Sequence, residues 1–241
     1  MILHMLPGDA IAEEFAASGL EGETAICREC LIEGPVDAES LHDFWVQREQ
    51  YLAPRQSDSN HSYAIDVAAE LGKLIELPAG SKVSLWFEYE LFCQVNLWFC
   101  LYLLRNTRAE VYRVAPSIRA DVDVWKGFGR LGAEDLKECF SQKVKLQAAD
   151  IEIGSELWRA FRSGDHKRLQ GLAVTASDDA FPHLQTVCEA ETAKSTRPAG
   201  ILRAIVDQGY TDFGEIFKEF SNRAGVYGFG DTQVKQLLAS L

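Results

Sequence analysis

The residues best equipped for chemistry in this chain stand where apolar runs stop. Asp9 follows the run 2–6, closed by Pro7 and Gly8; Arg28 and Glu29 lie at the end of a second run, 23–30. Glu88 and Glu90 follow a third, 82–87, and Ser117 follows a fourth, 110–114. Carboxylates gathered in one place repel one another unless a cation, a proton or a guanidinium compensates, and the compensators on offer are Arg28 and Arg48. A carboxylate-rich crevice with arginines beside it suits a divalent metal held by oxygen ligands and a phosphorylated or otherwise anionic small molecule gripped by a guanidinium fork. Asp9, Glu29 and Glu88 are then the catalytic candidates, with Asp9 and Glu88 holding a cation such as Mg2+ or acting as general base. Gly8, Arg28, Arg48, Glu90, Gln94 and Ser117 are the ligand-binding candidates. The chemistry to which this points is metal-assisted phosphoester hydrolysis or phosphoryl transfer.

Each candidate also has a plain structural reading. A carboxylate at a helix N-terminus is a favourable cap, which applies to Asp9, Glu88 and Glu90. Pro7-Gly8 is what a simple turn requires, and neither a Walker A nor a GxGxxG sequence is present. Cys27 and Cys30 have CxxC spacing, but no second pair or histidine cluster completes a tetrahedral metal site, so they read as structural. His4 sits on the first apolar run and reads as a core or edge residue; His61, in a polar stretch, reads as solvated. Gln94 and Asn96 interrupt an apolar helix and need partners: Gln94, one turn after Glu90, is placed near the ligand, and Asn96 against a neighbouring loop.

The elements that must position these residues follow from periodicity. Apolar runs at 2–6, 23–30, 82–87 and 110–114 are predicted strands; helical spacing occupies 10–17, 38–52, 63–75 and 91–104. This order predicts an α/β fold, an open, mainly parallel sheet of about four strands with helices on both faces and right-handed crossovers. In such sheets the ligand crevice lies beyond the carboxyl ends of the strands, where the candidates fall. Residues 1–120 form this predicted ligand-binding domain. Residues 121–241 read as a helical C-terminal part, with helices at 133–140, 148–162, 181–190, 199–208, 212–220 and 232–241, and a polar linker at 192–198. The segment 199–241 has the layout of a helix-turn-helix module, but its acidic residues outnumber its basic ones, which argues against DNA.

The bulk properties narrow the function classes. A net charge of -12 opposes attraction to nucleic acid or anionic membranes. The apolar stretch 91–104 is too short for a bilayer span, and residues 1–6 lack the basic and long apolar regions of a secretory signal. Cysteines placed mainly inside apolar segments fit a reducing cytosol, so a cytoplasmic protein is expected.

The motifs Leu3-His4 with Gly8-Asp9-Ala10, Cys27-Arg28-Glu29 leading to Glu33-Gly34-Pro35, Phe44-Trp45 with Arg48, Leu85 to Leu91 with Gln94, and Phe229-Gly230-Asp231-Thr232 are similar to those of the bacterial domain of unknown function 1835 family, with its uncharacterised helical C-terminal domain. The resemblance covers nearly the whole chain and implies fold and kinship, not a reaction. The residues leave two function classes: a protein binding, and acting on, a small anionic ligand, or a non-enzymatic regulatory or interaction protein, linked to transcription through C-terminal helices that meet a protein partner or a second copy.

Overall fold

The computed structural model describes residues 1–53, 62–117 and 124–241; His61 lies outside them. Strands β1 (Ile2–Leu6), β2 (Glu23–Ile26), β3 (Lys82–Trp86) and β4 (Glu110–Val114) pair in parallel. A two-residue β5 (Val144–Lys145) closes one edge antiparallel to β4, giving the order β2-β1-β3-β4-β5. Alternation along each strand divides the side chains between two layers. Leu3, Met5, Val83, Leu85 and Val111 enter one core, and Leu6, Trp86 and Val114 enter the other.

Helices α1 (Ala12–Ser18) and α5 (Ala133–Ser141) cover the smaller core through Phe15, Leu136 and Cys139. The larger core is covered by α2 (Leu41–Leu52), by a π-helical turn (Ala64–Ala68) that continues into α3 (Ala69–Gly72), and by α4 (Leu91–Leu104). The chain therefore changes face between β1 and β3, which makes this the switch point where open parallel sheets form a crevice. α4 is apolar all round, as a helix enclosed on every side must be, and only Phe92 and Tyr102 escape full burial.

α4 is enclosed because α6 (Ala148–Arg162) lies along its outer side. Gly154 permits the close approach: a Cβ there would stand 2.3 Å from Leu101 Cδ1. Then follow α7 (His166–Thr175), α8 (Leu184–Ala193), α9 (Arg197–Asp207), α10 (Phe213–Ala224) and α11 (Asp231–Ala239). One apolar cluster runs from Leu3 in β1 through α4 to Phe220, Tyr227 and Val234. No helix among the described residues is long and apolar enough to cross a membrane.

Several expectations change. β2 stops at Ile26, so Cys27 to Cys30 lie in the following loop rather than in a strand. The helix expected over 63–75 begins as a π turn and ends at Gly72. Residues 192–198 are no linker, because α8 and α9 leave only Lys194 to Thr196 between them, and Lys194 Nζ donates to Ile32 O at 3.1 Å. α7 and β5 were not expected from the sequence. α7 buries only Leu169, and β5 is too short to show alternation.

Candidate functional site

Most of the sequence candidates occupy the carboxyl-end rim of the sheet or the loops beyond it, with Arg48 on α2 and Gln94 on α4, and they gather in separate places. Asp9 opens a 3-10 turn (Asp9–Ile11) after β1. Its carboxylate accepts from Arg28 Nε at 2.8 Å and Nη2 at 2.7 Å, while Arg28 Nη1 donates to Asp66 O at 3.0 Å. The bond to Asp9 holds the Arg28 pKa above its ordinary value. Both partners face solvent, so this bidentate pair contributes at most about 1 kcal/mol. Gly8 is extended, at φ 166° and ψ 177°, and a Cβ there would meet nothing within 4 Å, so neither conformation nor crowding requires glycine.

Glu29 and Arg48 form a buried knot. Every N–H of the Arg48 guanidinium is engaged. Nε is shared between both Glu29 oxygens at 3.2 Å, and Nη2 donates to Glu29 Oε2 at 2.7 Å and Cys30 O at 3.0 Å. Nη1 donates to Glu33 O at 2.7 Å and Pro35 O at 3.3 Å. Tyr63 donates its hydroxyl to Glu29 Oε1 at 2.5 Å, Asn96 Nδ2 donates to Glu29 O at 2.9 Å, and burial followed by the Glu29 charge pushes the Tyr63 pKa up. This charge pair fastens the loop after β2 to α2 and α4, and leaves Arg48 no donor for a phosphate. Ser117 faces the other way, with its Oγ 3.3 Å from Gln142 Oε1 and 3.5 Å from Cys139 Sγ beside α5.

Glu88 and Glu90 form the third group, on the loop from β3 into α4. Glu90 is the N-cap of α4: its Oε1 accepts from Cys93 N at 3.0 Å. Its Oε2 is buried with no partner. Glu88 Oε1 accepts from Phe128 N at 2.6 Å, and Gln94 braces the loop by donating Nε2 to Glu88 O at 2.5 Å. Donor atoms of Glu88, Glu90 and Cys93 all lie within 4.8 Å of one another.

The surrounding backbone is cut away to admit these carboxylates. A Cβ on Gly127 would sit 2.0 Å from Glu88 Cδ, and one on Gly228 would sit 2.5 Å from Glu90 Cγ. Both glycines have left-handed φ, 61° and 67°, which glycine adopts most readily.

The electrostatics follow from this enclosure. Burial raises the pKa of Glu88, against the Phe128 N–H that favours its charged form. Burial first, and the Glu88 charge second, lift Glu90 well above its ordinary value, and burial likewise lifts the Cys93 thiol well above its own. Two carboxyls so placed disfavour each other's charge, which a proton or a cation would relieve. No cationic side chain among the described residues is bonded to either. Arg28 and Arg48, the compensators expected from the sequence, are engaged elsewhere.

The pair opens on a cavity of about 190 Å³. Its walls include Trp125 and Lys126 from the segment before α5, and Phe220, Asn222 and Phe229 from α10 and the turn beyond. His183 packs edge-on against Tyr89 at 5.3 Å and lies 5.7 Å from Trp125, steadying this wall. Sequence reasoning singled out Phe229 only as a motif residue and missed Trp125, Lys126, Phe220 and Asn222, since nothing local marks them as neighbours of Glu88. The available signal was the clustered glycines 225, 228 and 230 around Phe229. A larger cavity, about 440 Å³, lies at the opposite rim by Leu77, Tyr102, Arg105 and Arg108. It has no carboxylate or thiol in its lining, and Arg105 is stacked 3.8 Å from the Tyr102 ring.

Fold and site define a class: an open α/β protein with an acidic cavity between the rim of its sheet and its C-terminal helices. Comparison with protein-family models, curated proteins and solved structures found no match to the chain.

Proposed function

We propose that the protein binds a small anionic molecule of the phosphorylated-metabolite kind in the cavity beside Glu88 and Glu90, through a divalent cation carried by these two carboxylates. One observation carries the reading: Glu90 Oε2 is buried, lacks a partner and stands beside a second carboxylate at the cavity. A buried acceptor without a donor is costly unless a proton or cation completes it. The cation would neutralise the pair and present a Lewis acid to a phosphoryl oxygen, and Lys126 adds positive charge at the rim. Phosphoester hydrolysis or phosphoryl transfer is the corresponding reaction class, in a reducing cytosol where the six cysteines stay free. Kinship with the domain of unknown function 1835 family belongs to the same proposal. Glu88, Glu90, Gln94 and Phe229, which carry that resemblance, line or brace this cavity.

The test is thermal melting with nucleoside and sugar phosphates, each with and without divalent cations. Ligand at a hundredfold excess over its Kd stabilises by about 2.7 kcal/mol, a rise of roughly 5–10 °C for a chain of this size. Glu90→Gln keeps the cap acceptor but loses the anionic charge, and its shift should vanish. An unchanged shift in Glu90→Gln, or none in the wild type across the panel, removes the proposal.

A further inference from the structure

The donor set at this cavity is mixed. Glu88 and Glu90 supply oxygen, but the third group within 4.8 Å is the Cys93 sulfur, on the first turn of α4. One oxygen of each carboxylate is already committed, Glu88 Oε1 to Phe128 N and Glu90 Oε1 to Cys93 N, and Glu90 Oε2 is buried without a partner. Those bonds orient the carboxylates as outer hydrogen bonds orient metal ligands. Cys93 and Glu90 are almost fully buried, while half-buried Glu88 leads to the cavity.

We infer that Glu88, Glu90 and Cys93 are three protein ligands for a borderline divalent cation of the Zn2+ class, with a fourth position open to the cavity. This rests on the cation-dependent reading above and narrows it. A Mg2+ ion prefers an octahedron of oxygens and keeps several waters, which a buried thiol neither supplies nor leaves room for. Zn2+ takes mixed sulfur and oxygen ligands in a tetrahedron, and three protein ligands with one open position is its catalytic arrangement. As the metal binds, the Cys93 thiol and any protonated carboxyl of the pair give up their protons to solvent, and no electron is transferred. The three ligands come from a single loop and helix turn, whereas the rest of the cavity wall comes from Trp125 and Lys126 and from residues 220–229. The ligands themselves therefore come from the sheet rim, while Phe128 N and the glycines at 127 and 228 hold the carboxylates in place, and the open position faces the cavity.

The experiment uses the full chain with Co2+ as a spectroscopic substitute, in a Cys30→Ser background that removes the half-buried thiol outside the site. Stoichiometric Co2+ should produce a near-ultraviolet sulfur-to-cobalt charge-transfer band and intense visible bands of four-coordination. Zn2+ should displace it and bind at least tenfold more tightly than Mg2+. In Cys93→Ser the charge-transfer band should disappear and Zn2+ affinity fall at least tenfold, with Mg2+ binding unchanged. Should that variant fail to fold, zinc absorption spectroscopy on the parent protein replaces it, with one sulfur expected at about 2.3 Å from the metal.

Co2+ bound without a thiolate band, a band that survives Cys93→Ser, or a zinc shell of oxygen and nitrogen alone overturns the assignment while leaving a cation-dependent ligand site standing. If Zn2+ and Co2+ do not bind but Mg2+ supports ligand binding, the assignment falls and the broader proposal survives. If neither cation nor ligand binds, both fall.

Discussion

At the scale of single residues, the two arginines and the first histidine have definite work in the fold. Arg48 is closed off from solvent and bonded through every N–H, so Arg48→Ala should leave Glu29 charged, buried and unpaired. Chemical denaturation should register a loss of about 3–5 kcal/mol. Glu29→Leu combined with Arg48→Met should cost clearly less, because no lone charge remains. Arg28→Ala breaks only a surface pair and should change stability by about 1 kcal/mol or less.

His4 has both ring nitrogens in use. Nε2 faces Glu21 O at 3.1 Å, and Nδ1 accepts from Trp86 Nε1 at 3.1 Å, which assigns the proton to Nε2 and a neutral ring to the fold. Burial is the main cause holding its pKa below the ordinary imidazole value. The unfolded chain then binds this proton before the folded one does. Stability from His4 is complete above about pH 6.5 and falls away as the pH drops through the lowered folded value. Melting temperatures followed from about pH 7.5 downward should decline more steeply for the wild type than for His4→Gln; parallel curves would remove His4 as the cause.

At the scale of elements, the glycine after α10 makes the sharpest test. Gly228→Ala forces a side chain into left-handed backbone, at about 1–2 kcal/mol, and drives its Cβ into the Glu90 side chain. Gly209→Ala carries a comparable backbone penalty, at φ 94°, with nothing within 4 Å of the new atom. Both variants should melt lower. Only Gly228→Ala should also lose the cation-dependent shift, and equal shifts in the two would show that the cradle has no bearing on binding.

The elements around this site differ in how openly the sequence announces them. β1, β3 and α4 could be read directly, because their apolar runs are bounded by Pro7-Gly8, by Pro78 to Gly80 and by the Glu90 cap. Glu88 and Glu90 were legible as candidates for the same reason, since they follow a strand and precede a helix. The meeting of Gly127 with Glu88, and of Gly228 with Glu90, was not legible, because periodicity reports which face a residue takes and not which distant segment faces it. Arg48 was read as a ligand for phosphate because an arginine's sequence position does not reveal that five acceptors already surround it.

At the scale of the whole molecule, the helical part is joined to the sheet by a common core. Leu202, Ile205, Ile216, Phe220, Tyr227 and Val234 belong to the same apolar cluster as Leu3 and Leu85. Calorimetry should therefore record one cooperative unfolding transition, with calorimetric and van't Hoff enthalpies in agreement. Two resolved transitions would mean that the sheet and the late helices unfold independently. Removal of 199–241 should lower the melting point sharply rather than release an intact α/β unit, because it strips these side chains from the core.

The fit of each carboxylate into the space of a missing Cβ also has a consequence for descent. Positions 88 and 127, like 90 and 228, are locked by size, so a lineage that retained both acids would have to retain both glycines. One that exchanged either acid for a short side chain would release its opposite number to vary. Such paired drift, read across any future set of kindred sequences, would register the cradle without a single coordinate.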